Sequence, residues 1–167
     1  MQSSIRKKAA MLLGLAALAF APAVSALPGG QAAHNCIDLS GTFAFTIFQF
    51  TSQTTAYGEG NVYVNGVVAG TFTANYSNIQ QQGQGVTQMN GKHIIVMDGI
   101  GTLHTCDEIR LQSDEKTPSV VRANSRLYVV TDQDSCEGVV GLLHTHGEVD
   151  LADLSGGIDF KGQVCLP

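Results

Sequence analysis

Positive charge is scarce in this sequence of 167 residues, which holds nine Lys and Arg against fourteen Asp and Glu. Three of the nine, Arg6, Lys7 and Lys8, precede all fourteen acidic residues. The chain after them carries six basic and fourteen acidic side chains, a net charge of −8. Such a surface repels phosphate backbones and anionic lipid head groups. We therefore expect no nucleic acid partner.

Long apolar runs are also rare. The one near the N-terminus, residues 9–23, follows the three basic residues and leads into Val24-Ser25-Ala26. A basic start, a short apolar middle and small residues before the cleavage site are features of a signal peptide. We predict a signal peptide over residues 1–26, no membrane span in the remainder, and a secreted or periplasmic protein.

The sequence lacks the short motifs that identify many enzymes. It has no phosphate-binding loop, no serine in a nucleophile elbow, and no Cys-x-x-Cys pair of the kind found in zinc and redox sites. No two acidic residues can be assigned as the acid and base of a glycosidase. These absences exclude the enzyme classes that are recognisable from such motifs.

Four cysteines are present after the predicted signal peptide, namely Cys36, Cys106, Cys136 and Cys165. Export to an oxidising compartment makes disulfides the expected state, and four cysteines allow three pairings. We predict Cys36–Cys165, because this bond would join the two ends of the domain, and Cys106–Cys136 as the remaining pair.

No segment after the signal peptide shows a sustained helical period, whereas β-branched and aromatic runs alternate with Gly, Asn and Asp turns. Asn65-Gly66 and Asn90-Gly91 each predict a type I′ hairpin turn. The Gln-rich residues 77–88 predict a long loop or a frayed strand end. Short turns leave no room for crossover helices, and closure hides the sheet edges. We predict an all-β fold, a single antiparallel meander barrel of roughly eight strands over residues 39–167, after a lead-in over residues 27–38.

The last four predicted strands are residues 100–111, 120–131, 139–151 and 158–164. Alternate positions along them separate an apolar face from a polar one. In the first strand, Phe43, Phe45 and Ile47 share a face. The apolar face of the later strands, which we expect to form the core, holds Leu103, Ile109, Leu111, Val121, Ala123, Leu127, Val129, Val139, Leu143, Val149, Ile158, Phe160 and Val164.

The polar face allows two interpretations. It can be a solvated exterior, on which Arg122 and Arg126 lie between Glu108 and Glu148 and form cross-strand charge pairs. It can instead line a polar cavity or cleft, in which case Arg122, Arg126, Tyr128 and Glu148 are the candidate ligand-binding residues.

The same face offers a candidate metal site. His144 and His146 lie on one side of a strand, about 7 Å apart, a separation that one metal ion can bridge. His104 occurs in a segment similar to that around His144, and Asp150 follows four residues after His146. Under this interpretation the four residues hold a divalent metal; otherwise we expect no cofactor.

Three Gly-rich segments, residues 58–64, 98–103 and 154–162, carry a resemblance to a known family. They are similar to the calycin-like β-barrel shared by allene oxide cyclases and dirigent proteins. The resemblance implies an eight-stranded barrel whose cavity accommodates a small apolar molecule, and an assembly that is often trimeric. It transfers no catalytic residue to this chain.

We therefore predict a secreted β-barrel that binds a small, mostly apolar molecule in its interior. One alternative is an enzyme, either an isomerase or cyclase of the barrel family or a metal-dependent enzyme that uses His144 and His146. The other is a structural or surface module without a pocket.

Overall fold

The computed structural model describes residues 35–166, which form a closed barrel of eight antiparallel strands. The strands are β1 (Asn35–Phe50), β2 (Ala56–Val64), β3 (Val67–Gly83), β4 (Val86–Met97), β5 (Gly101–Ser113), β6 (Val120–Asp132), β7 (Glu137–Asp150) and β8 (Ser155–Leu166). Each strand pairs with the next, and β1 pairs with β8 to close the barrel. The predicted all-β antiparallel barrel is thus confirmed.

The predicted signal peptide, residues 1–26, lies outside the described residues, and β1 begins within the predicted lead-in. Residues 35–166 include no helix that is long and apolar enough to cross a membrane.

Side-chain alternation fills the barrel interior with one apolar cluster, as strands with a single buried face require. Most of the predicted core face is there: Leu103, Ile109, Val121, Leu127, Val129, Leu143, Val149, Ile158, Phe160 and Val164 are buried, and Leu111 and Ala123 are partly buried against them. The period of two therefore located the core in the second half of the chain.

Two residues that were predicted on apolar faces, Ile47 with Phe43 and Phe45 and Val139 on the core face, are exposed because β-bulges interrupt the alternation. The register between β1 and β2 shifts after Phe45, which leaves Ile47 40% exposed and packs Phe48 against the core. The register between β6 and β7 shifts after Val129, and Val139 is 59% exposed. One extra residue in a strand moves every following side chain to the other face, so the prediction was wrong at both positions.

The first predicted hairpin turn is confirmed, since Asn65 and Gly66 both have positive φ, 52° and 78°, between β2 and β3. The second is wrong. Asn90 and Gly91 lie inside β4, and the turn between β3 and β4 is at Gln84 and Gly85. Most of residues 77–88, predicted as a loop or frayed end, therefore form the end of β3 and the start of β4.

Both predicted disulfides are confirmed. Cys36 and Cys165 are register partners on β1 and β8, so their bond lies across the seam where the barrel closes. Cys106 of β5 is bonded to Cys136 in the turn between β6 and β7. Two disulfides in one small domain are typical of a protein that folds in an oxidising, extracellular-type environment.

Candidate functional site

The polar face of the last four strands lies on the outside of the barrel. Arg122, Arg126, Tyr128 and Glu148, the predicted ligand-binding residues, are all exposed there, and none lines the interior cavity described below. Arg122 Nε donates a hydrogen bond to Glu148 Oε2 at 2.8 Å, and this bond raises the pKa of the Arg122 guanidinium. This pair matches the solvated interpretation, while ligand binding by the four residues stays a prediction.

The structure spreads the predicted metal ligands along the outer surface. His144 and His146 are exposed on one side of β7. His104 is opposite Val130 of β6, whereas His144 is opposite Arg126, so the two histidines are offset by four residues along that strand. Asp150 ends β7 and accepts a hydrogen bond from the backbone N–H of Ala152. Within residues 35–166 no three His, Cys, Asp or Glu side chains are placed to hold one metal ion.

Five polar side chains are buried on the inner face instead: His93, Thr105, Asp107, Ser125 and Thr145. They belong to four neighbouring strands, β4 to β7, and alternate with apolar residues that form the core. Because successive side chains in a strand point to opposite faces, each of them is directed into the barrel. One side of the interior therefore carries a polar wall.

His93 and Asp107 form the centre of this wall. His93 Nδ1 is 3.1 Å from Thr105 Oγ1 and 3.4 Å from Asp107 Oδ1, while His93 Nε2 is 3.5 Å from Tyr76 Oη. The contact with Asp107 lacks hydrogen-bond geometry, since neither carboxyl oxygen has a hydrogen-bond partner among the described residues. The Asp107 side chain is nevertheless fully buried.

Gly91 provides the space that this carboxyl group occupies. Gly91 belongs to β4 and is the register partner of Asp107 on β5 and of Tyr76 on β3. A Cβ at position 91 would lie 2.5 Å from Asp107 Oδ1 and 2.9 Å from His93 Cε1. A glycine inside a strand often marks such a close approach. The close approach of Asp107 therefore accounts for a glycine at this position inside a strand.

Tyr76 supplies a neutral hydroxyl to the same wall. Burial and, second, the negative charge of Asp107 raise the pKa of the Tyr76 phenol well above its ordinary value. The phenol therefore keeps its proton, which it can donate to His93 Nε2 or to a molecule inside the barrel.

Ser125 and Thr145 form the far end of the polar wall. They are register partners on β6 and β7, and their hydroxyl oxygens are 2.7 Å apart. The Thr145 hydroxyl also lies 3.4 Å from the Ser125 carbonyl oxygen. Each hydroxyl already has a partner, in contrast to the carboxyl group of Asp107.

The polar wall faces a cavity of about 70 Å³ whose other side is largely aromatic. Phe72 packs edge-on against Phe43 and Phe45 at 5.1 Å between ring centroids, and Phe45 packs against Phe48 at 5.8 Å. One water molecule needs about 10–15 Å³, so this space has room for several waters, and it is about half the volume of an apolar cavity of about 150 Å³ that binds benzene. The cavity thus combines a large apolar surface with one group of polar side chains.

Sequence reasoning missed His93, Asp107 and Tyr76 as site residues, although the signal was present. The alternation that placed Leu103 and Ile109 on the core face also places Thr105 and Asp107 on it. A buried acid is uncommon and marks a functional candidate. The mistaken turn at Asn90-Gly91 hid the equivalent argument for His93.

Comparisons of this chain with protein-family models, with curated proteins and with solved structures find no match.

Proposed function

We propose that this protein binds a small, mostly apolar molecule inside its barrel. The observation that carries the proposal is the cavity itself, an aromatic and aliphatic space of about 70 Å³ with a few convergent polar groups. Concave, mainly apolar sites with a small number of polar side chains are typical of small-molecule binding. In this proposal the ligand contacts side chains of the interior, whereas the sequence predicted contacts with outer residues such as Arg126.

Two sequence features support the proposal. The resemblance to the allene oxide cyclase and dirigent barrel implies an interior that accommodates an apolar molecule. The same resemblance implies that the protein forms a trimer. The apolar run and small residues before Ala26, together with the disulfides, favour a secreted or periplasmic carrier.

Toluene is a suitable first probe, because it is a small single-ring molecule without a polar group. Its entry requires the side chains that line the cavity to move apart, since the space of about 70 Å³ is smaller than one that binds a ring. We expect toluene, titrated into ¹⁵N-labelled protein, to shift the amide signals of cavity-lining residues such as Met89 and Ile109, with a Kd of about 1 mM or tighter. Ala123→Leu replaces a methyl group of the cavity lining with a larger side chain that fills part of the cavity, and it should abolish these shifts.

Asn124→Leu is the matched control, because Asn124 is the next residue and is exposed on the outer face. It should leave toluene binding unchanged. A wild-type spectrum that toluene does not alter would contradict the proposal and favour the module without a pocket.

The row of Asp107, His93 and Tyr76 supports a second candidate, an isomerase that moves a proton within its substrate. Asp107, which the His93 ring holds in position, can take a proton from carbon while the Tyr76 hydroxyl donates to the adjacent oxygen. We expect the protein in D₂O to speed deuterium exchange at the α-carbon of cyclopentanone, and His93→Ala to remove this acceleration. Exchange at the uncatalysed rate, with cyclopentanone bound, would reject the enzyme and leave the carrier.

A further inference from the structure

Asp107 is the one carboxyl group directed into the described cavity, and its two oxygens lack hydrogen-bond partners among residues 35–166. Residues of the neighbouring strands surround its side chain. Tyr76 lies on β3, Gly91 and His93 on β4, and Leu127 is its register partner on β6. The Nδ1 of His93, the nearest nitrogen, is already within hydrogen-bond distance of Thr105.

An unpartnered carboxyl group in an apolar interior opposes folding, because burial removes its hydrogen bonds to water without replacing them. Most buried polar groups in folded proteins have partners, so an exception at a cavity wall requires an explanation. A donor that arrives with a bound molecule would give at least one of the two oxygens a hydrogen-bond partner.

We propose that the molecule bound in the cavity carries a hydroxyl or N–H group on an otherwise apolar body, and that Asp107 accepts its hydrogen bond. This inference rests on the proposed binding function. The aromatic wall contacts the apolar body of such a molecule, and Asp107 fixes the end that carries the donor. A ligand whose polar end is a carboxylate is disfavoured, because it would place a second negative charge beside Asp107.

His93 and Gly91 are positioning residues in this arrangement. Gly91 leaves the space beside the carboxyl group, and the His93 ring occupies one side of it. Together they hold the carboxyl group against the cavity and leave its oxygens free for a ligand.

Four single-ring probes test the inference. p-Cresol and p-toluidine carry a donor, 4-fluorotoluene has nearly the same size without one, and toluene is the reference. We expect both donor probes to bind the wild-type protein about 10-fold or more tightly than 4-fluorotoluene, since hydrogen bonds to charged groups are strong. Titrations followed by amide shifts give all four Kd values.

Asp107→Leu removes the acceptor and keeps a similar shape. It should bind toluene and 4-fluorotoluene as the wild type does and lose the preference for the donor probes. Asp107→Asn retains one acceptor oxygen and should show a reduced preference, which keeps the test available if the leucine variant does not fold. Glu108→Gln, at the next residue, whose side chain is exposed on the outer face, should keep the full preference.

The possible failures are distinct. If none of the four probes binds the wild-type protein, the proposed function itself is wrong. If all four bind with equal affinity, or if Asp107→Leu keeps the donor preference, the cavity binds apolar molecules but the role of Asp107 is refuted.

Discussion

At the scale of single residues, Gly91 and Asp107 depend on one another. A methyl group at position 91 would meet Asp107 Oδ1 at 2.5 Å and Ile109 Cδ1 at 3.0 Å, and Ile109 belongs to the packed core. The carboxyl group and the chain around it would have to move. The space for the candidate site is therefore created by an absent side chain.

Gly91→Ala should lower the free energy of unfolding by about 1–3 kcal/mol, the usual cost of overpacking an interior. It should also weaken the binding of p-cresol, because the Asp107 carboxyl group is displaced. Urea unfolding followed by circular dichroism measures the first effect and the probe titration measures the second. Asn90→Ala, at the neighbouring exposed position, is the control and should change stability by less than about 0.5 kcal/mol. An unchanged stability in Gly91→Ala would contradict this view of the packing.

At the scale of strands and turns, the acidic residues at the strand ends are turn residues. Asp132 ends β6 and accepts hydrogen bonds from the Ser135 hydroxyl and from the backbone N–H groups of Asp134 and Ser135. These bonds, the one from the Ser135 side chain first, lower the pKa of Asp132. Similar bonds lower the pKa values of Asp114 and Asp153.

A pKa that is lower in the folded state means that the ionised carboxylate stabilises folding. This contribution is complete above about pH 4, the ordinary pKa of Asp, and is lost as the pH falls through the lower folded value. We expect the unfolding temperature of the wild type to fall between pH 5 and pH 2.5, and that of Asp132→Asn to fall less.

Asp134→Asn is the matched control, since it removes a charge from an exposed position in the same turn. It should retain the pH dependence of the wild type. Equal pH dependence in the wild type and Asp132→Asn would mean that the turn carboxylate does not stabilise the fold.

The β3–β4 hairpin shows where local signals were insufficient. Asn-Gly is a strong turn signal, and it was correct at Asn65-Gly66, where both residues are exposed. At Asn90-Gly91 the same dipeptide lies within β4, where the glycine leaves the space that the Asp107 carboxyl group occupies. The sequence shows that a glycine is present, but whether it serves a turn or a close approach depends on residues from other strands.

At the scale of the whole molecule, closure of the barrel depends on the pairing of its first and last strands. The Cys36–Cys165 bond joins β1 to β8 and encloses a sequence separation of 129 residues, against 30 for Cys106–Cys136. In the chain-entropy account, a longer enclosed loop restricts the unfolded chain more strongly. The bond at the seam should therefore contribute more to stability.

We expect the double variant Cys36→Ala/Cys165→Ala to lose about 2–5 kcal/mol of unfolding free energy, and Cys106→Ala/Cys136→Ala to lose less. Guanidinium unfolding of both variants measures the difference, and amide hydrogen exchange should show the largest loss of protection in β1 and β8 of the first. A larger loss in the second variant would contradict the role of the seam.

The amino-acid sequence by itself determined the all-β class, the antiparallel barrel and most of the core, and among three possible disulfide pairings it favoured the one that the structure shows. These follow from local periodicity, turn chemistry and cysteine count, each of which acts over a few residues or has few solutions. Only the tertiary structure decided the bulges that expose Ile47 and Val139, and the inward cluster of Asp107, His93 and Tyr76. The physical reason is that register and cavity shape arise from side chains on several strands at once, so no single segment encodes them.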